Sequence, residues 1–382
     1  MKKSVLIWGF VLTLFFCGLL CGCDHSTTDS PPTTTLPEPP PEKNIIITAV
    51  GDIMMHNTQI QAGYQPQLGT YDFSSFFTKV TPFLQTSDFV IGNLETTLGK
   101  DPKQYSGYPR FNSPAILAQN LKEAGFDLLT TANNHCLDKG ISGLNSTLDC
   151  IEAAGLLHVG TARSQEEKET ILFTEIQDVK IAFLAYTYGA NGLKPPRGQE
   201  FAVNFIEEDQ IIADLKKARN EGAQLIILCL HFGQEYQEHP DSVQIRLAKT
   251  FLHAGADVIL GNHPHVLQLT QTYQQEEDKT QFVIYSLGNF ISDQKGLARK
   301  SSMILNLHFG IDTLTGEPYF KEATSIPIWT RKYKKEGRLT FEVLPLEETL
   351  TKIRAAETGD FTLEEIQELE QAWLHISSYM KS

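Results

Sequence analysis

The sequence predicts an α/β fold with a largely parallel central sheet, and three observations carry that expectation. Short β-branched runs alternate with amphipathic helical stretches from Asn44 onward, the pattern of strand and crossover-helix units that leave neighbouring strands parallel. Almost every candidate strand runs into a short polar cluster. Two late apolar runs, "QFVIYSL" and "SMILNLHFG", follow one another without a helix between them, so the sheet is expected to finish in antiparallel or mixed fashion.

In chain order, Lys2 and Lys3 precede "SVLIWGFVLTLFFCGLLCG", an apolar stretch that reads as the core of a secretory signal and is also long enough for an uncleaved membrane anchor. "LCGC" at 20–23 resembles a bacterial lipobox, with Gly22 before the cut and Cys23 as the lipid-bearing residue, so residues 1–23 are expected to be a lipoprotein signal peptide. Either anchor leaves the body of the chain outside the cytoplasm and tied to a membrane. Residues 24–43 are rich in Ser, Thr and Pro and cannot pack a core. As a semi-rigid spacer of about 3.1 Å per residue they would hold the domain roughly 60 Å from the membrane.

A folded domain is expected over 44–345. "NIIITAV" reads as a strand, "FSSFFTKVTPFLQ" as a helix, "DFVIGNL" as a strand, "PAILAQNLKEAG" as a helix and "DLLTTA" as a strand. "GLNSTLDCIEAAG" then reads as helical, "KIAFLAY" as extended, "DQIIADLKKARNEG" as helical, "QLIILCL" as extended, "VQIRLAKTFLHAG" as helical and "ADVIL" as extended. Residues 346–382 read as two helices, with Thr362 the N-cap of the second and Glu365 completing a capping box. "RKYKKEGR" at 331–338 is the densest basic run, either a solvated strand edge or a patch for a polyanion.

Aliphatic and aromatic residues make up 41% of the chain, enough for a sizeable core. A formal net charge of −14 argues against nonspecific binding of nucleic acid. Beyond Cys23 the body keeps Cys136, Cys150 and Cys229, an odd number with no close pair, so disulfides are not expected to hold the fold together. Cys229, within "LIILCL", is expected as a small buried hydrophobe.

The polar clusters carry the chemistry. "IIITAV" leads into Gly51, Asp52 and, after "IMM", His56; "DFVIG" leads into Asn93 and Glu95. "DLLTTA" delivers Asn133, Asn134, His135 and Asp138, "LIILCL" delivers His231, and "ADVIL" delivers Asn262, His263 and His265. The carboxyl ends of parallel strands lie along one sheet edge, so these residues are expected to converge. Taken singly each has a plain structural role, since a strand-end aspartate ordinarily caps a helix or closes a turn. His263 and His265 resist that account, because two separate imidazole partners would be needed on either side of Pro264, whose ring also biases His263 toward extended backbone. Together the carboxylates, a carboxamide oxygen and the imidazoles form an O/N set suited to Mn, Fe or Zn and unlike a structural cysteine zinc site. There are donors enough for two divalent ions, and carboxylate-bridged ions about 3.5–4 Å apart commonly hydrolyse phosphate esters.

Six stretches in this order, "AVGDIMMH", "IGNLETTL", "TANNHCLDKG", "HFGQEY", "GNHPHV" and "YSLGNF", cover approximately residues 46–293. They resemble the bacterial capsule synthesis protein family, the CapA or PgsA proteins of poly-γ-glutamate production, whose domain is related to the calcineurin-like metallophosphatases. The resemblance implies a layered fold with mixed central sheets flanked by helices. It also implies Asp52 as the first metal-binding aspartate, Glu95 in place of the bridging aspartate, and Asn134 as a ligand. His135 would be a hydrogen-bond donor or general acid, His231 the solitary histidine, and His263 and His265 the terminal histidine pair. Where the phosphatase pattern has a histidine two residues after the first aspartate, this chain has Met54, and His56, two further on, either reaches the metal in its place or leaves one site short of a ligand. Asn289 reads either as a substrate contact at the rim or as ordinary Gly-Asn turn chemistry.

Three functions follow. The chain is the membrane-anchored, extracytoplasmic component of a poly-γ-glutamate or capsule synthesis and export machine, working with membrane proteins; or a metal-dependent phosphoesterase; or a non-catalytic module whose metal cleft holds an anionic polymer. The donor set favours the second and Met54 the third. A polyanion meeting a chain of net charge −14 needs bound cations, or a patch such as Lys332, Lys334 and Lys335, to offset the repulsion.

Overall fold

The computed structural model describes residues 43–274, 279–357 and 360–379. The expected signal peptide, Cys23 and the spacer up to residue 42 lie outside the described residues. Among the described residues no helix is long and apolar enough to cross a membrane.

The parallel strands fall into two sheets instead of one. The first sheet runs, in spatial order, Arg338–Pro345, Pro318–Lys335, Ser301–Ile311, Asn44–Ile53, Phe89–Leu94, Leu128–Thr130 and Leu157–Val159, with Asn289–Ile291 also paired to Asn44–Ile53. Pairing is parallel from Asn44–Ile53 outward to Leu157–Val159 and antiparallel on the other side, so the mixed finish expected from the sequence is present. The second sheet runs Thr270–Gln274, Thr280–Ile284, Val258–Asn262, Leu225–His231, Val179–Thr187 and Leu172–Ile176. Its four central strands are parallel and its two edges antiparallel.

Side chains alternate across each strand, and both faces are covered. Ile45, Ile47 and Ala49 of the first sheet meet Ile181, Phe183, Ile227 and Leu260 of the second in one buried cluster between the sheets. On the outer face of the first sheet, Val50, Val90 and Leu129 pack against Phe76, Leu121 and Ile151 from helices. On the outer face of the second, Leu184, Ile226 and Leu228 pack against Ile211, Leu215 and Phe251 from helices Glu208–Asn220 and Ser242–His253. The result is four layers, helix, sheet, sheet, helix. Burial on both faces explains why the strands read as unbroken apolar runs.

Three local outcomes differ from or sharpen the sequence expectations. "FSSFFTKVTPFLQ" breaks into two short helices, Ser74–Phe77 and Thr81–Leu84, because Pro82 lacks an N–H and fits only in the first turn of the second. The basic run forms the tip of the long hairpin Pro318–Lys335 and Arg338–Pro345, which turns through Glu336 and Gly337 at φ +52° and +79°. There Arg331 is buried and pairs with Glu365 at 2.8 Å, and Lys332 pairs with Asp293 at 2.7 Å. Helices Leu346–Arg354 and Leu363–Ser377 end the described chain; the second starts with the expected Thr362 and Glu365 capping box and buries Leu369, Ala372 and Ile376 in the cluster between the sheets. Cys136, Cys150 and Cys229 are free and buried.

Candidate metal centre

The carboxyl ends of strands from both sheets meet along one seam. Asp52 lies at the end of Asn44–Ile53, Asn93 and Glu95 at the end of Phe89–Leu94, and Asn134 and His135 just after Leu128–Thr130. From the second sheet, His231 closes Leu225–His231 and Asn262 closes Val258–Asn262, with His263 and His265 following. Two glycines admit the backbone segment 285–288 that crosses from the second sheet to the first. A Cβ on Gly51 would stand 1.9 Å from the Gly288 carbonyl oxygen, and one on Gly261 2.0 Å from that of Tyr285, so the positions just before Asp52 and Asn262 admit no side chain.

His263 and His265 have φ of +101° and +60°. The extended conformation expected of His263 from the following proline is therefore not adopted. Left-handed backbone at two non-glycine residues costs on the order of 1–3 kcal/mol each and is held only where the surroundings enforce it. Here the Tyr236 amide donates to the Pro264 carbonyl at 2.8 Å, pinning the turn between the two rings.

Asp52 is fully partnered. Its Oδ1 accepts from Asn93 Nδ2 at 2.8 Å and Asn262 Nδ2 at 2.9 Å, and its Oδ2 from His265 Nδ1 at 2.9 Å. Glu95 is the opposite case: it is completely buried and neither carboxylate oxygen has a hydrogen-bond partner. Glu95 Oε1 lies 3.8 Å from both His231 Nε2 and His265 Nε2, too far for hydrogen bonds. Donors that share a cation at about 2.0–2.2 Å stand roughly 3–4 Å from each other, so this spacing suits ligation. His231 Nε2 is 2.9 Å from Asn134 Oδ1, and His263 Nδ1 is buried without a partner. Two donor groups result, Asp52 with Glu95 and His265, and Glu95 with His231 and His263, each with its ligand atoms within 4.8 Å of one another. Glu95 belongs to both.

The electrostatics point the same way. Burial, with Asp52 beside it, pushes the Glu95 carboxyl well above the usual range. Burial and the neighbouring imidazoles hold His231 well below its ordinary value, and burial with His265 lowers His263 to about 3. Neutral imidazoles with available lone pairs around a carboxylate lacking a counter-charge are what a divalent cation satisfies.

His135 sits beside this set. Its Nδ1 donates to Asp138 Oδ2 at 2.8 Å, and the same oxygen accepts the Phe111 amide at 2.6 Å. The Phe111 ring stands edge-on to the imidazole at 4.7 Å. His56 is not brought into either donor group: it caps helix Asn57–Gly63, its Nδ1 accepts the Asp293 amide at 3.2 Å, and its ring packs on Phe111 at 5.2 Å. Met54 is buried, its sulfur 3.9 Å from Gln294 Nε2. Asn289 does not reach a rim. Pairing of Asn289–Ile291 beside Asp52 buries it completely, and its Nδ2 donates to the carbonyls of His265 and Arg299 at 3.3 and 3.0 Å and to Gln294 Oε1 at 3.0 Å. It braces the histidine turn.

Asn93 and Asn262, which clamp Asp52, were visible as strand-end residues without an assigned role. The same strand-end rule applied to Val179–Thr187 leads to Tyr188, whose ring centroid lies 4.5 Å from that of His263. Asn191, at φ +49°, accepts from Asn134 Nδ2 at 3.2 Å, and no sequence signal marked it.

The profile of the family described as bacterial capsule synthesis protein PGA_cap matches residues 46–294. Capsule biosynthesis protein CapA of Bacillus anthracis is 33% identical over 279 residues, covering 70% of this chain and 64% of its own length. PGA biosynthesis protein CapA of Bacillus subtilis (strain 168) is 30% identical over 263 residues, covering 68% and 66%. The chain thus spans just under two thirds of these two relatives. Among solved structures, the NAD nucleotidase of Haemophilus influenzae superposes with a TM-score of 0.50 at 14% identity, over 88% of this chain and 67% of that one, a likeness of fold alone.

Proposed function

This chain belongs to the bacterial capsule synthesis protein family and has a metallophosphatase-like fold, and from that premise we propose that it is a membrane-anchored, extracytoplasmic component of poly-γ-glutamate or capsule synthesis or export, built around a centre for two divalent cations. Glu95 carries the metal part: a completely buried carboxylate with both oxygens unpartnered, shared by two donor groups. Asp52, Glu95 and His265 would hold one ion, and Glu95, Asn134, His231 and His263 the other. The ions supply positive charge against an anionic group, phosphate or carboxylate, on a chain whose own net charge is −14. The "LCGC" sequence and the proline-rich spacer support the anchor, and the names of the two Bacillus relatives support the pathway.

A second function, metal-dependent hydrolysis of a phosphate ester, is favoured by the His135 and Asp138 couple. Asp138 fixes the imidazole's tautomer and ring plane, and an imidazole so held beside the donors can pass a proton to a leaving oxygen.

The test is the metal content of the full chain in detergent, for wild type and His263→Ala, with hydrolysis of bis(p-nitrophenyl) phosphate in Mn²⁺. Two ions per chain, lost in the variant, support the centre. Metal-dependent turnover then selects the phosphoesterase, and metal without turnover selects the holding role. A wild-type chain that binds no divalent cation overturns the centre.

A further inference from the structure

We propose that Glu235 is an additional ligand of the metal centre, reaching it from the solvent side and making up the donor that Met54 does not supply; this rests on the cation reading above. A carboxylate oxygen of Glu235 and one ring nitrogen each of His263 and His265 lie within 4.8 Å of one another. Glu235 is exposed, whereas the two histidines are buried. It therefore meets the two histidines from the solvent side.

Its placement is built. Glu235 lies in the irregular segment after the Leu225–His231 strand, and the next residue, Tyr236, has φ +67° and donates its amide to the carbonyl of Pro264 at 2.8 Å. Pro264 sits between the two histidines, so one hydrogen bond ties the Glu235 turn to the histidine turn. Arg299 lies over the Tyr236 ring at 4.8 Å and weights the turn from outside. Beneath it, the buried His263 Nδ1 has no hydrogen-bond partner.

The donor count asks for such a residue. The ion held by Glu95, His231 and His263 also has Asn134 Oδ1, 2.9 Å from His231 Nε2. The ion held by Asp52, Glu95 and His265 has only those three, because Met54 offers a thioether that hard divalent cations do not favour and His56 lies in neither donor group. A carboxylate oxygen from Glu235 brings that ion to four protein donors.

The experiment is a Mn²⁺ titration of the full chain in detergent by calorimetry, with the ions counted by mass spectrometry. Wild type takes two ions; Glu235→Gln weakens one of them by about 10–100-fold, the loss typical of removing a residue that supports a metal. Glu235→Gln combined with Met54→His recovers the affinity, because an imidazole replaces the missing donor. Glu235 is exposed, so the metal-free variant keeps the wild-type melting temperature, which separates a lost ligand from a lost fold. Unchanged binding in Glu235→Gln overturns the assignment, as does unchanged binding with lost phosphoester turnover, which makes Glu235 a proton carrier instead. Failure of the wild type itself to bind Mn²⁺ removes the cation reading, a result distinct from either.

Discussion

Replacing Glu95 by glutamine stabilises the metal-stripped protein and reverses that gain once metal is present. In the stripped protein the carboxyl is completely buried, without a hydrogen-bond partner, and beside Asp52. Its folded-state pKa lies well above the ordinary glutamate value, with burial the main cause. The folded protein then holds this proton more tightly than the unfolded chain, so stability falls as pH rises from the unfolded pKa toward the folded one. Each pH unit crossed in that window removes up to about 1.4 kcal/mol. Glutamine keeps the shape without the charge, its curve lacks the fall, and toward neutral pH the variant melts higher. With free cation at 100 times the dissociation constant, each site adds about 2.7 kcal/mol to the wild type, which for two sites raises the melting temperature by roughly 10 °C. The variant, lacking the shared carboxylate, gains little. Calorimetric melting from about pH 5 to about pH 8, in EDTA and in excess Mn²⁺, reads both halves. A variant that melts below wild type in EDTA at every pH would refute the reasoning, because it would show that Glu95 already has a favourable partner without metal.

If the protein turns over phosphate esters, His135→Ala lowers kcat by about 10²–10⁴-fold while the ion count by mass spectrometry stays at the wild-type value; a fall in both places His135 among the ligands. Gly261→Ala drives a Cβ to 2.0 Å from the Tyr285 carbonyl oxygen and costs about 1–3 kcal/mol or more in urea denaturation; an unchanged midpoint would mean that the backbone after Thr280–Ile284 yields easily there. Cys136 and Cys229, whose thiols burial pushes up to about 12, stay unlabelled by iodoacetamide at about pH 8 and react only after denaturation, as peptide mapping will show. Thr362→Ala removes the N-cap of the last helix and lowers stability by about 1 kcal/mol, measured as a shift in melting temperature.

The fold was legible where one period dominated. Runs such as "LIILCL" and "ADVIL" announced buried parallel strands, and the amphipathic stretches between them announced the covering helices. What alternation cannot encode is partition: the same strand and helix order fits one sheet or two, and only the facing of Ile47 toward Ile227 and Leu260 decides it. The hairpin Pro318–Lys335 went unread because its outer half alternates with charged and polar residues and carries Pro327 in the ladder opposite Met303. Among site residues, those that end strands were legible because position alone brings Asp52, Glu95, Asn134, His231, His263 and His265 together. His56 and Asn289 illustrate the limit. Both neighbour the centre in sequence and space, but a hydrogen bond to a backbone amide engages one and a neighbouring strand buries the other.

Asp52, Glu95 and Asn134 come from the first sheet, and His231, His263 and His265 from the second. Both groups that share Glu95 draw on the two sheets together, so a chain with only its first half folded has no centre to load. A cation seated at the seam is a rivet between two plates, with a tolerance of a few tenths of an ångström. Sliding one sheet past the other by a single residue step, about 3.3 Å, shears it out. Occupancy of the proposed centre would therefore gauge the register of the layers: whatever pulled them out of step would release the ion, and a medium rich in cations would lock them together.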